Sequence, residues 1–314
     1  MRSAAATMID AVVAAAETLG VPRAAMLAAA GLRERDLQAP GIRVAYDRCV
    51  ALWDRIERAV GDPLVAVRLA RAMPAVGHAA LFQYITRAAP TIELAWQRVA
   101  PLIGLMFGEG YEVVTRRADA CWELGYRLPV HGDPPIPRSE ETMVASFVEL
   151  CRSAAPTFSP RAVCFQHRGG APAAAWRRAL GCEAIYGASF YGLRVTPAAL
   201  RADIPAHDPG LATLLSGLAQ PLVAALQAGQ ALGSEVAEEA FEDAAERIVG
   251  YMALGTDVLQ RTIDQGHRQK AIPTVRPAYI DLSHAEALPQ VLDQAVKLEH
   301  LAVPQRRCQV AVEL

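Results

Sequence analysis

The sequence predicts an α+β protein: a helix-rich N-terminal domain with a small antiparallel sheet, followed by a C-terminal region of short helices. Three observations predict it. Apolar residues recur at three- to four-residue spacing from residue 1 to about 105. Two runs of strict alternation then flank a short polar link between residues 111 and 128. Finally, Ile204-Pro205-Ala206-His207-Asp208-Pro209 reads as a domain boundary, beyond which the composition changes.

Each element follows from local chemistry. The Ala-rich stretch Met1 to Leu19 is broken by Asp10 and Glu17, so it reads as an amphipathic first helix and not as a signal peptide. Turns are expected at Gly20-Val21-Pro22, Ala39-Pro40-Gly41 and Gly61-Asp62-Pro63. Val50, Trp53, Ile56 and Val60 form one apolar helix face. At Ala89-Pro90-Thr91 one helix ends and another opens, because Pro breaks the first while Thr can cap the second. Leu94, Val99, Leu102 and Met106 continue the stripe.

Tyr111, Val113 and Thr115 alternate with Glu112, Val114 and Arg116. After a turn around residues 117–120, Trp122, Leu124, Tyr126 and Leu128 alternate with Cys121, Glu123, Gly125 and Arg127. This predicts an antiparallel hairpin with one aromatic and apolar face. A Pro-rich loop, His131 to Pro137, leads to a helix bearing Met143, Val144, Phe147, Leu150 and Cys151 on one side. Strands are expected at Ala162 to His167 and Tyr191 to Thr196, separated by a helix near Ala173 to Leu180. A helix from Leu211 to Gln227 and a linker at Gly229 to Gly233 come next. The domain boundaries are thus 1–205, 206–233 and 234–314.

Composition narrows the function classes. With 53% hydrophobic and 20% charged residues the chain can fill a core. A net charge of −2 gives no overall bias toward nucleic acid or membrane. No run of about 18 uncharged apolar residues predicts a membrane span. The cysteines Cys49, Cys121, Cys151, Cys164, Cys182 and Cys308 form no CxxC pair and are expected as buried, reduced thiols of a cytoplasmic protein.

Catalytic and metal motifs find no support. No GxSxG elbow, GxGxxG or GxxxxGK[ST] loop occurs, and the seven His form no HxH, HExxH or other pair at metal spacing. Neither enzyme activity, metal nor cofactor is expected. Two features invite a binding role, each with a plain alternative. Tyr111, Trp122, Tyr126 and Phe165, with Phe190, either line an apolar ligand cavity or fill the core. His167, closing a strand, is either a polar group at that pocket or a His satisfied by a loop carbonyl. Glu140 and Glu141 read as acids suited to a helix N-terminus.

Across residues 15–212 a series of short stretches occurs in a familiar order. Leu19-Gly20-Val21-Pro22 precedes Ala30-Gly31-Leu32, Arg43-Val44, Leu52-Trp53 and Gly61-Asp62-Pro63. Ala89-Pro90-Thr91-Ile92 with Ala95 comes next, then Pro160, Val163, Phe165 and His167. Leu180-Gly181-Cys182, Tyr186-Gly187-Ala188, Gly192-Leu193, Leu200 and Asp208-Pro209 complete the series. In this order and spacing the chain resembles the "arabinose-binding-like" N-terminal sensing domain of AraC-type transcription regulators. These are turn and packing residues, so the resemblance speaks to fold.

The resemblance implies a C-terminal pair of helix-turn-helix units. Residues 255–263 are similar to the first recognition helix of that family, with Leu259, Gln260, Arg261 and Ile263 matching and Thr256 placed to cap. The DNA-contacting residues it implies are Thr256, Gln260 and Arg261, with Arg268 in the basic cluster just beyond. The pattern then departs. Pro273 and Pro277 fall where the connecting helix would run, and the second unit's motif does not occur. From Ala231 onward eight Arg and Lys stand against thirteen Asp and Glu, the reverse of a typical DNA-binding balance. Two function classes therefore stand side by side. One is a homodimeric DNA-binding regulator that responds to a small, apolar or aromatic effector. The other is a stand-alone sensor or dimerisation protein that has lost DNA binding and acts through a protein partner.

Overall fold

The computed structural model describes residues 3–38, 43–73, 77–103, 111–128 and 133–210, together with Ala212, Thr213, Leu215 and Gly217. The predicted linker at Gly229 to Gly233, the helical region 234–314, Cys308 and most of the helix expected from Leu211 lie outside the described residues.

The first part is helical, as its periodicity predicts. It comprises α1 (Ala6–Thr18), α2 (Arg23–Ala30), α3 (Glu34–Gln38), α4 (Tyr46–Val60), α5 (Val65–Ala72), α6 (Gly77–Ala88) and α7 (Ile92–Val99). α7 continues into a single 3-10 turn, Ala100–Leu102. The alanines of α1 let its neighbours approach closely, so eight of its residues are buried. Thr91 caps α7 by accepting a hydrogen bond from the Leu94 backbone N–H. The true apolar stripe there is Ile92, Ala95 and Val99, running on to Leu102. Leu94, expected in that stripe, is among the exposed large hydrophobics. Met106 lies outside the described residues.

This helical part also holds two strands that the periodicity did not show. β1 (Ser3–Ala5) pairs antiparallel with β2 (Arg43–Ala45). Three residues are too few to display alternation. Arg43 reinforces the pairing, its guanidinium donating to the Ser3 hydroxyl at 2.7 Å and to the Ser3 carbonyl at 2.9 Å.

The predicted hairpin is present as β3 (Glu112–Ala118) and β4 (Cys121–Arg127), turning at Asp119 with φ 53°. The remaining strands are β5 (Ala162–Phe165), β6 (Glu183–Tyr186) and β7 (Tyr191–Val195), in sheet order β3-β4-β7-β5-β6. The sheet is mixed and not purely antiparallel, because β5 and β6 run parallel. The helix between them, α9 (Ala173–Leu180), provides the crossover that parallel neighbours require. β6 is a four-residue edge strand without a fully buried residue, which is why alternation did not reveal it.

α8 (Pro137–Ala154) lies between the helical layer and the sheet, packing on α5 on one side and on β5 and β7 on the other. A helix covered from two sides buries two stripes. Val144, Ala145 and Val148 are fully buried, whereas the predicted Met143, Leu150 and Cys151 are only partly so. Two large apolar cores result among the described residues, beside a small cluster of Val114, Cys164 and Phe190 that keeps Phe190 apart from the other predicted aromatic residues. One joins the sheet, α6, α7, α8 and α9; the other is built from α1, α2, α4 and α5. α10 (Pro197–Leu200) closes this part, capped by the Thr196 hydroxyl.

Candidate functional site

The inner sheet face carries a cluster of aromatic rings around two glutamates at the start of α8. Tyr126 and Tyr191, opposite one another in β4 and β7, stack with centroids 5.7 Å apart. The His167 ring lies 5.7 Å from Tyr191 and 5.4 Å from Phe165, and Phe165 stacks on Tyr186 at 5.2 Å. Tyr126, Phe165, Trp176 and Tyr191 are completely buried.

Polar groups in such a setting must be hydrogen-bonded, and these are. The Tyr126 hydroxyl donates to Glu140 Oε2 at 2.6 Å. Arg138 Nη1 donates to Glu141 Oε2 at 2.6 Å and Arg138 Nε to Glu57 Oε1 at 3.0 Å. His167 spans Tyr191 and Glu141, with Nδ1 3.3 Å from the tyrosine oxygen and Nε2 3.3 Å from Glu141 Oε1. Trp176 Nε1 donates to the Tyr186 oxygen at 2.8 Å. That hydroxyl's one hydrogen faces both the Ala171 carbonyl at 3.1 Å and Glu141 Oε1 at 3.4 Å. Burial, then the Glu141 charge, pushes the Tyr186 phenol up to about 12. Desolvation lowers the Arg138 pKa, but its bonds to Glu141 and Glu57 outweigh it and leave the guanidinium raised. Glu140 and Glu141 do stand at a helix N-terminus, as expected, but they are also buried members of this network, 6% and 0% exposed.

Beside the cluster, where the two cores meet, lies a cavity of about 90 Å³. α1 and β1 contribute Ser3, Met8, Ile9 and Val12, and α4 contributes Tyr46, Cys49 and Trp53. The opposite wall is Leu128, Ile136, Ser139, Glu140 and Met143, with Met73 at the end of α5. Met8, Leu128 and Met143 belong to or pack on the sheet core, whereas Ile9, Val12, Cys49 and Trp53 belong to the helical core. The Arg138–Glu57 ion pair ties α8 to α4 across the same seam. The walls are thus mainly apolar, with the Glu140 carboxylate and a few hydroxyls as polar points, the usual make-up of a small-molecule site.

None of this is poised for nucleophilic chemistry. Burial pushes the Cys49 thiol up to about 11 and the Cys151 and Cys164 thiols to about 12, which keeps them protonated and unreactive. Among the described residues, no three His, Cys, Asp or Glu side chains come together as a metal site.

The structure brings Tyr126, Phe165 and His167 into one cluster through Tyr191. Tyr111 and Trp122 are half-buried against the sheet core. None of the five is itself a cavity-wall residue; Tyr126 reaches the cavity through Glu140. Thr256, Gln260, Arg261 and Arg268 lie outside the described residues. Sequence reasoning missed the cavity-wall residues Met8, Tyr46, Trp53 and Met143 because they come from three helices distant in sequence. The adjacent acids Glu140 and Glu141, next to an apolar helix face, were the one available signal.

Comparison with known proteins places residues 20–204 in a match to the family model described as the arabinose-binding domain of AraC transcription regulator, N-terminal. No curated protein matches. One solved structure that the chain resembles is the transcriptional regulator CdpR from Pseudomonas aeruginosa, with 13% sequence identity and a TM-score of 0.46. The alignment covers 87% of this chain and 82% of that one. A likeness that weak carries no argument about function.

Proposed function

Since the chain belongs to the family of N-terminal arabinose-binding domains of AraC transcription regulators, we propose that it is a transcription regulator that senses a small-molecule effector and binds DNA through its C-terminal region. The observation that supports the sensing half most is the cavity at the seam of the two cores, with one buried carboxylate in a largely apolar wall. A ligand there touches both layers at once. Its binding energy favours whichever setting of α8 against α1 and α4 fits it best, which is what a sensor needs. The aromatic cluster of Tyr126, Phe165 and His167 is the rigid backing that fixes the glutamates. Tyr111 and Trp122 pack against the same core along the hairpin.

The DNA-binding half is proposed from the likeness of residues 255–263 to a recognition helix, with Thr256, Gln260, Arg261 and Arg268 as contacts and a homodimer as the acting form. No described helix is long and apolar enough to cross a membrane, in keeping with a regulator working in the cytoplasm. Binding of the full-length protein to random duplex DNA, as salt rises from low to physiological concentration, tests this half. Micromolar affinity that falls steeply with salt is expected, and Arg261→Ala should reduce the log–log slope by about one phosphate contact. No binding even at low salt would replace the regulator with the stand-alone sensor, whose partner is another protein. The acidic balance beyond Ala231, eight basic against thirteen acidic residues, is what favours that second reading.

A further inference from the structure

We infer that the outer edge of β3 is the dimer interface of this protein, where a second copy lays down its own β3 antiparallel about a two-fold axis at Val114. The inference rests on the homodimer of the reading above and names the surface that forms it.

The edge comes first. β3 ends the five-stranded sheet and is paired with β4 alone among the described residues. Its second row of backbone N–H and C=O groups is thus open to another strand. β3 is seven residues long, and its Glu112, Thr115, Arg116 and Arg117 are exposed. The opposite edge, β6, has four residues, three of them half-buried, and offers a shorter template. Pairing two copies of the long edge leaves neither of them open.

The faces come next. Val114 lies on the outer sheet face with Cys164 and Phe190, and alternation places Glu112 and Arg116 on that face as well. Thr115 is on the inner face, where its hydroxyl accepts from Trp96 Nε1 at 2.7 Å. Two antiparallel copies related by a two-fold axis set outer face beside outer face, so the same patch meets itself.

Charge fixes the register. With Val114 opposite its own copy, Glu112 lies opposite the partner's Arg116, and Arg116 opposite the partner's Glu112. Within one copy Arg127 Nη1 donates to Glu112 Oε2 at 2.8 Å, and Arg116 Nε donates to Glu123 Oε2 at 2.7 Å. The axis therefore continues a row of alternating sign: Arg127, Glu112, then the partner's Arg116 and the partner's Glu123. Opposite charges facing one another across strands stabilise the pairing. Both side chains keep room for it. Glu112 is 66% exposed and Arg116 49%, and among the described residues Glu112 Oε1 and Arg116 Nη1 make no hydrogen bond.

Other registers lose this complementarity. A shift of two residues sets Glu112 opposite the partner's Ala118 or the partner's Val114, and no ion pair spans the axis. A shift of four sets Arg116 against the partner's Arg116, or Glu112 against the partner's Glu112, and like charges directly opposite are destabilising. On the inner face the chosen register adds Val113 beside the partner's Thr115, two β-branched residues suited to a pleated surface.

Sedimentation equilibrium of the full-length protein, wild type and Glu112→Arg, tests this, together with oxidative cross-linking of Val114→Cys and Thr115→Cys. Wild type is expected to be a dimer at micromolar concentration. Glu112→Arg sets two cations opposite each other at both ends of the pairing. It is expected to raise the dimer dissociation constant at least about tenfold, with circular dichroism unchanged. Val114 meets its own copy at the axis, at about the Cα separation that a disulfide spans, so Val114→Cys should form a covalent dimer. Thr115 is displaced from its own copy, so Thr115→Cys should not. A wild-type monomer, a dimer indifferent to Glu112→Arg, or a covalent dimer through Thr115→Cys and not Val114→Cys would overturn this interface. The DNA titration above remains the test of the regulator reading, so the two fail separately.

Discussion

Glu123 is 1% exposed on the outer sheet face, with Arg116 opposite it on β3 and Arg194 opposite it on β7. Arg116 Nε donates to Oε2 at 2.7 Å, and Arg194 donates to Oε1 through Nε at 3.0 Å and Nη2 at 2.8 Å. Burial alone would raise the carboxyl's pKa, but the two arginines together outweigh it and hold it below the ordinary value of 4.5. A carboxylate with a depressed pKa stabilises the fold fully above its unfolded value and loses that contribution as pH falls through the folded value. Glu123→Gln should therefore cost about 1–3 kcal/mol near neutral pH, with a smaller deficit at an acidic pH well below the ordinary value of 4.5. Urea unfolding at the two pH values checks this; an equal deficit at both would detach Glu123 from the acid limb. The alternation of β3 and β4 placed these residues on the polar face. What the sequence did not show was that β7 would bring a second arginine to the same carboxylate, because strand order depends on packing across the whole sheet. The same holds for Glu140 and Glu141. Their place at a helix start was legible, but their burial against Tyr126 and His167 was not.

At the level of elements, the long periodic segments were readable and the short ones were not. α4, the hairpin and α9 sit where spacing put them, because an amphipathic face or strict alternation over seven residues leaves little choice. β1, β2 and β6 escaped because three or four residues carry no period. The face assigned to α8 was rotated because a helix covered on two sides has no single apolar stripe. One pairing inside the sheet is strongly specified. Gly125 and Gly192 face each other across β4 and β7, and Gly192 has φ +152°. A Cβ on Gly192 would lie 2.1 Å from the Leu124 carbonyl oxygen, and one on Gly125 would lie 2.0 Å from that of Tyr191. The two strands thus approach closely only because both residues lack a side chain. Gly192→Ala is expected to lower stability by at least about 2 kcal/mol, since the obstacle is backbone and not a movable side chain. Thermal unfolding of that variant beside Gly187→Ala, where φ is +71° but no atom lies within 4 Å of the added Cβ, separates the steric part from the conformational one. Equal losses in the two would mean that close strand approach contributes nothing.

For the whole molecule, the family was legible from the order of turn and packing residues over residues 15–212, and the family match over residues 20–204 agrees. The cavity was not legible, because its walls come from α1, α4 and α8, which only the packing of two cores brings together. That position carries the functional claim: a ligand at a seam between two cores acts on both, and an effector can bias DNA binding only through such a differential contact. The measurement that tests this most directly is the DNA affinity of the full-length protein, at one fixed low salt concentration, for wild type and for Met143→Trp, whose larger side chain fills the seam cavity while circular dichroism shows the fold retained. Filling the cavity is predicted to change DNA affinity by about five-fold or more, in either direction. If the folded variant and wild type bind DNA equally well, the seam cavity is not the effector site of a regulator.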